Sequence, residues 1–425
     1  MRNATVQIPL LIILIFSFSG VAGCNPPPPR MGKIVGSSMS PTLRGTHYSV
    51  SCPGCGIQFN CDLEQADKRT TVICPNCGTH AQRDHWNLTA ADPVSVVSNS
   101  EIQRWDIIAF ERDRSTGSAS NHELMTKRVV GLPGESIRFK NGNIIANQEL
   151  VRKPLELQKQ MRVLVCDSKF QSTPSLNWIL TPENNWKFAN GIFQMRSPPA
   201  TAQMDWFNFH YQKNYYRTDD KTADSVLEDF YGYNQSLSRK LNPMDEVFVE
   251  LSTQISGGIL GWRFGNQDDL YEFQIHEALS EIQIFRNRPE TGPLTKLHTA
   301  VIAPALKTNM PARIEFSSFD RVLRVIVNGT ELWTHRLDAS SKAPQKTLLS
   351  FGGNSAAIKI ERIRIWRDLY YFDTNPTQDT PNSPSITTKA GFFVIGDNVP
   401  LSHDSRHWKR PGVAIETVKG KVFPQ

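Results

Sequence analysis

Apolar and polar residues alternate along this chain in short stretches, the period of strands with one buried face. Ile107–Phe110 and Leu124–Val130 are two such stretches, the second ended by the turn Leu132-Pro133-Gly134. Met125, Lys127 and Val129 fall on one face of the second strand, which sets an amine among apolar neighbours. Phe139 to Ile145 carries Asn141-Gly142 at its centre and predicts a tight hairpin. Separate strands follow at Glu246–Leu251, Ile259–Phe264, Tyr271–Ile275, Ile282–Phe285, Arg313–Phe316, Val322–Val327 and Ala357–Trp366. Asn328-Gly329 predicts a type I′ turn between Val322–Val327 and Glu331–Trp333. The proline-containing stretch 373–390 reads as a linker, and Gly391–Ile395 and Gly412–Phe423 read as strands again. The predicted fold is therefore mainly β. A first β domain over 31–51 and 86–154 resumes at 391–425, and an antiparallel β-sandwich at 155–372 is inserted into it.

Ser350–Tyr371 (SFGGNSAAIKIERIRIWRDLYY) resembles the last strands of concanavalin-like jelly rolls. One run breaks the alternation: Ile8 to Phe18 is apolar apart from Ser17, follows Arg2, and leads through small residues to Val21-Ala22-Gly23-Cys24. Residues 1–24 read as an export signal or membrane anchor. Ile8 to Gly23 is shorter than the ~20 residues of a comfortable spanning helix, so a cleaved signal and a short retained anchor both stand. Val21 to Cys24 resembles a bacterial lipobox, which makes Cys24 a candidate for lipidation. Either route places the chain on the outer face of a bacterial cell membrane, with membrane lipid as a partner. The spacer 25–30 contains Pro26 to Pro29, and the 14 residues from Cys24 to Ser38 span at most roughly 46 Å. Chemistry at Ser38 would thus occur close to the bilayer.

Composition changes this picture little. Apolar residues make up 39% and charged residues 21%, enough for packed cores in a chain of 425 residues. The net charge of +6 is scattered rather than clustered, and with the export signal it argues against nucleic acid as a partner.

Three strings carry chemistry: Ser38-Met39-Ser40-Pro41-Thr42-Leu43, Lys127 to Glu135 (KRVVGLPGE), and Gly396-Asp397-Asn398 followed by Ser402, Asp404, Ser405 and Arg406. A serine hydroxyl becomes a useful nucleophile when a base takes its proton, and neutral lysine can be that base. Lowering a lysine pKa from ~10.4 toward 7 or 8 requires roughly 4 kcal/mol, supplied by desolvation. In their order the strings resemble the boxes of type I signal peptidases, over about 31–50, 101–154 and 391–425. The resemblance implies that Ser38 attacks the scissile carbonyl, that Lys127 takes and returns the proton, and that Ser402 hydrogen-bonds the lysine amine. It makes Asp404 and Arg406 a supporting pair and the Ser38 backbone N–H one oxyanion donor. Gly36 stands where some members carry a second, hydroxyl donor. Two further departures are Trp105, where glycine is usual, and Val399-Pro400-Leu401, where a more polar run is usual. The implied function is a membrane-associated serine endopeptidase that removes signal peptides from secreted preproteins and needs no cofactor for catalysis. The rival reading is a non-enzymatic envelope lipoprotein whose sandwich binds glycan or protein on an inactive peptidase scaffold.

Residues 52–85 hold a separate signal. Cys52-Pro53-Gly54-Cys55-Gly56 and Cys74-Pro75-Asn76-Cys77-Gly78 place four thiolates at the spacing of a zinc ribbon, with two disulfides as the alternative for an exported chain. A four-cysteine zinc site is closed and structural. Cys61 and Cys166 are left over, to pair with each other or, for Cys61, to stand in as a ligand.

Overall fold

The computed structural model describes residues 29–425 apart from 64–68, 99, 114–121, 172–176, 182, 198–202, 213–225, 236, 267, 289–293, 303–309, 338–345, 356, 373–385 and 388–390. The expected signal or anchor, Cys24, residues 25–28 of the Pro-rich spacer and most of the linker lie outside the described residues. Among the described residues, no helix is long and apolar enough to cross a membrane.

The fold is mainly β, in several antiparallel sheets. Strands Arg30–Lys33, Pro93–Val97, Val418–Pro424, Ile107–Asp113, His122–Gly131 and Phe393–Ile395 form one six-stranded sheet in that order. Its neighbours come from distant parts of the sequence: Val394 pairs with Val129, and Lys421 pairs with both Ile108 and Val97. The first and last thirds of the chain thus build one unit. A smaller sheet contains the hairpin Ser136–Lys140 and Asn143–Ala146, where Asn141 and Gly142 take φ of 48° and 80°. Positive φ at both central residues is what a two-residue type I′ turn demands.

The cysteine block is somewhat larger than its motifs. Gln58–Asp62 and Trp86–Thr89 flank the central strand His47–Ser51, so the sheet reaches beyond 52–85 at both ends. The reason is packing: Val50 and Trp86 share a small core with Ile57, Phe59, Val72 and Ala81.

Residues 163–367 contribute two stacked sheets, one of eight strands and one of seven. Val247–Ile255 and Ile358–Arg367 lie at the centre of the first, and Ile259–Gly265 and Leu270–His276 in the second. Alternation fills the space between them with Phe193, Phe207, Trp262, Phe273, Phe316 and Phe351, all fully buried. Asn328-Gly329 forms the expected hairpin, and Asn190-Gly191 forms a second one that the alternation pattern did not single out. At the base of the sandwich, where the chain leaves and re-enters the first domain, Lys153 Nζ is paired with Asp320 at 2.5 Å and Asp368 at 2.8 Å.

Candidate active site

Ser38 lies in a tight turn held from within and from below. Ser40 N donates to Ser37 O and Leu43 N to Met39 O. Met39 and Leu43 anchor the turn in a core with Ile34, Val94, Ile107, Ala109 and Val422. The turn is also held from the far end of the sequence: Asn398 N donates to Ser38 O and Asn398 Nδ2 to Ser37 O, each at 3.0 Å. Gly396 makes this approach feasible, because a Cβ there would lie 2.3 Å from both Ser38 O and Ser402 Oγ.

Lys127 projects from His122–Gly131 opposite Ile108 and is 3% exposed. Its Nζ lies 2.7 Å from Ser38 Oγ. The two residues that the sequence selected 89 positions apart are therefore in hydrogen-bond contact. They sit on a groove of about 690 Å³ whose walls include Met31, Val94, Ala109, Met125, Leu401 and His403. This mixture of small and apolar side chains suits an extended peptide with small residues beside the scissile bond.

The remaining site residues fall around this pair. Asp404 and Arg406 form a buried two-point ion pair, Nε–Oδ1 2.8 Å and Nη2–Oδ2 2.9 Å, and Arg406 also donates to the carbonyls of Phe372 and Val399. Burial alone pushes the Asp404 carboxyl up, but Arg406 and hydrogen bonds from His407 and Ser402 hold it far below the usual carboxylate range. Ser402 Oγ accepts from Gly396 N at 3.1 Å and donates to Asp404. The buried carboxylate is a strong acceptor at close quarters, which accounts for that orientation. Gly36 takes φ +74°, so a residue with a hydroxyl side chain would be strained in this turn.

Three residues inside the recognised strings gain roles that their spacing did not reveal. Arg128 and Asp397 make a buried bidentate pair, Nε–Oδ1 2.7 Å and Nη2–Oδ2 2.6 Å. Arg128 also donates to Trp105 O at 2.6 Å and Thr42 Oγ1 at 3.3 Å, so it joins the lysine strand, the serine turn and the Gly396 loop. Asn398 is the third. Only folding brings these groups together, although the neighbouring Lys127-Arg128 and Asp397-Asn398 pairs hinted at it. The departure at Trp105 also has a physical reading: its φ is +77°, a conformation that favours glycine, and its indole packs against the main core beneath the Lys153 ammonium.

The six described cysteines are free thiols. Sγ atoms of Cys52, Cys55, Cys74 and Cys77 lie within 4.8 Å of one another, with Cys52–Cys77 at 3.5 Å and Cys55–Cys74 at 3.7 Å. A zinc ion with ~2.3 Å bonds to four sulfurs sets them about 3.8 Å apart, so this set is compatible with a tetrahedral ion, while both contacts exceed the ~2.05 Å of a disulfide bond. Cys61 and Cys166 stand apart from that cluster. Cys61 contacts Gly232 O and Cys166 contacts Gln171, and burial pushes the Cys61 thiol up to about 12.

Comparison with known proteins bears on part of this arrangement. The model of the family "Signal peptidase, peptidase S26" matches residues 30–191, a stretch that includes Ser38 and Lys127. Signal peptidase I V of Bacillus subtilis (strain 168) is 36% identical over 53 residues, 12% of this chain and 27% of that protein. The matched stretch thus spans about a quarter of that relative. Together these support a domain like that of type I signal peptidases. Among solved structures, the catalytic domain of an endo-1,3-beta-glucanase (laminarinase) from Thermotoga petrophila RKU-1 covers 49% of this chain and 98% of its own, at 9% identity and a TM-score of 0.32. The carbohydrate recognition domain of Emp47p covers 47% and 91%, at 10% identity and TM-score 0.31. Galectin LEC-6 of Caenorhabditis elegans covers 28% and 82%, at 11% identity and TM-score 0.24. At these scores the likeness is loose.

Proposed function

We propose that the chain is a serine endopeptidase that removes N-terminal signal peptides from exported preproteins at the outer face of a bacterial membrane. The observation that carries this reading is the 2.7 Å contact between Lys127 Nζ and Ser38 Oγ at the floor of a peptide-sized groove. In the working state neutral Lys127 accepts the Ser38 proton while Oγ attacks the scissile carbonyl carbon. The carbonyl π electrons move onto oxygen, next to the Ser38 backbone N–H as oxyanion donor. Collapse breaks the C–N bond, and the Lys127 ammonium returns the proton to the departing amine. Water, deprotonated by the same amine, then hydrolyses the acyl-serine and restores Ser38. Arg128, Asp397 and Asn398 keep the strand and turn in register, and Ser402, Asp404 and Arg406 brace the loop that carries Asn398. Zinc held by Cys52, Cys55, Cys74 and Cys77 would supply a structural cross-link. Residues 1–24 would provide the membrane tether or, through Cys24, a lipid anchor.

The test is cleavage of a precursor with a small-x-small site, with products mapped by mass spectrometry. Wild type is expected to cut once after the second small residue and Ser38→Ala to leave the precursor intact. No cleavage by wild type, or equal cleavage by Ser38→Ala, would overturn the reading; the first outcome favours the non-enzymatic lipoprotein.

A further inference from the structure

The sandwich insertion reaches the nucleophile turn through one short segment. After Asp229 and Phe230 the chain forms a single turn at Gly232–Asn234. Four of its side chains or carbonyls touch other parts of the molecule. Tyr231 Oη and Ser40 Oγ share a hydrogen bond of 2.7 Å, two residues beyond the nucleophile. Asn234 and Asn398 form a reciprocal amide pair, Nδ2–Oδ1 2.5 Å in one direction and 3.0 Å in the other. Asn398 is the residue whose backbone and side-chain amides hold the carbonyls of Ser38 and Ser37. Gln235 brackets Ile73 of the cysteine block, donating to its carbonyl and accepting from its N–H, each at 2.6 Å. Gly232 O receives the Cys61 thiol.

The segment is held in turn by the sandwich. The buried Arg367 guanidinium, at the end of the central strand Ile358–Arg367, donates to the carbonyls of Asp229 and Phe230 at 2.7–3.0 Å. Asp229 also accepts from Arg239 and from the backbone and side chain of Asn242. Burial pushes the Tyr231 phenol up to about 12, so it remains a neutral hydroxyl across the working range. Buried side-chain amides paired at both ends fix one geometry, since any displacement leaves donors and acceptors unsatisfied. The nucleophile turn is therefore braced from two domains.

We propose that Tyr231 and Asn234 are positioning residues for the Ser38 turn, so that the inserted sandwich completes the active site of the peptidase domain. The proposal rests on the peptidase reading for its kinetic consequences, though not for its structural ones. Asn234 acts through Asn398 on the carbonyls of Ser37 and Ser38; Tyr231 acts through Ser40. A nucleophile displaced by a fraction of an ångström loses its alignment with base and carbonyl while the groove still binds peptide. The signature is a lower kcat with an unchanged KM.

The experiment compares Asn234→Ala, Tyr231→Phe, Asn398→Ala and Asn234→Ala/Asn398→Ala in the full chain by two readouts. In precursor cleavage, Asn234→Ala is expected to lower kcat about tenfold and Tyr231→Phe severalfold, with KM within about twofold of wild type. The double variant should lose no more than Asn398→Ala alone. In hydrogen exchange, amides within 37–45 should lose protection about tenfold in Asn234→Ala, while those of strand 122–131 stay as in wild type. Wild-type kcat in both single variants, unchanged protection of 37–45, or additive losses in the double variant would overturn the proposal. If Asn234→Ala does not fold, Tyr231→Phe, which removes one oxygen, decides it by the same readouts. A wild type that cleaves nothing defeats the peptidase reading alone, and exchange at 37–45 still decides the role of Asn234.

Discussion

Two lysines 26 positions apart are buried almost completely, and the contacts described for them differ in kind. Lys153, 2% exposed, sits between Asp320 and Asp368 and above the rings of Trp105 and Tyr371. Burial alone would push its pKa down, but the two carboxylates hold it well above the ordinary lysine value. Lys127, 3% exposed, instead presents its amine to a serine hydroxyl at 2.7 Å on the floor of a groove. A buried ammonium clasped by carboxylates is fixed as a cation and can only hold structure together. An amine set against a hydroxyl has a proton to exchange. Burial of a lysine therefore says little by itself; on the proposed function, the partner decides whether it supports the fold or the chemistry.

The contrast is sharpest in what each residue should do when its charge is removed. Lys153→Met would leave Asp320 and Asp368 buried without their cation, and a loss of roughly 3–5 kcal/mol is expected in denaturant unfolding. A Lys153→Met protein as stable as wild type would break the comparison from that side. Arg128→Met tests the intermediate case, a buried ion pair placed within the site. It should lower stability by about 3 kcal/mol and also suppress cleavage, because Asp397 loses its partner and Thr42 and Trp105 lose a common donor. Loss of only one of these would show that fold and site are separable there.

Smaller effects are expected further from the groove. Purified chain should contain about one zinc per molecule, and Cys74→Ser should release it and loosen the cysteine block, read by metal analysis and by exchange at Ile73. The smallest effect concerns Glu246, beside the Lys153 cluster. Burial first, then Asp368, Asp320 and Asp245, hold its carboxyl well above the usual value. An acid whose pKa is raised in the folded state carries a proton there that the unfolded chain has released, so stability falls as pH rises from about 4 through the folded value. Glu246→Gln keeps the neutral form at every pH. It is expected to raise stability by about 1 kcal/mol above that window and to leave it unchanged near pH 4, in unfolding curves at both pH values.

Much of this was legible before folding was considered, and for local reasons. Asn141-Gly142 and Asn328-Gly329 dictate their hairpins because few other dipeptides accept two positive φ values. Ser38 and Lys127 stand out because three strings occur together in one order, since a serine in a turn or a lysine beside an arginine is ordinary by itself. The four cysteines fit the sulfur spacing of a tetrahedral site, as their spacing suggested. What stayed hidden depends on contacts between distant segments. Asn234 and Tyr231 lie in an irregular stretch with no alternation to mark them. Arg128 and Asp397, 269 positions apart, look like surface charges until the sheet unites both ends of the chain. The contacts of Ser402 with Gly396 N and with Asp404 likewise depend on how the loop folds back on itself, which its spacing does not show.

The central claim is that Lys127 works and does not merely hold structure. It is tested most directly by measuring kcat/KM for precursor cleavage by Lys127→Met together with its unfolding curve. The account predicts a loss of activity of at least about a thousandfold with stability within about 1 kcal/mol of wild type. Cleavage by Lys127→Met within tenfold of wild type, or a loss of activity matched by a collapse of the fold, would contradict it.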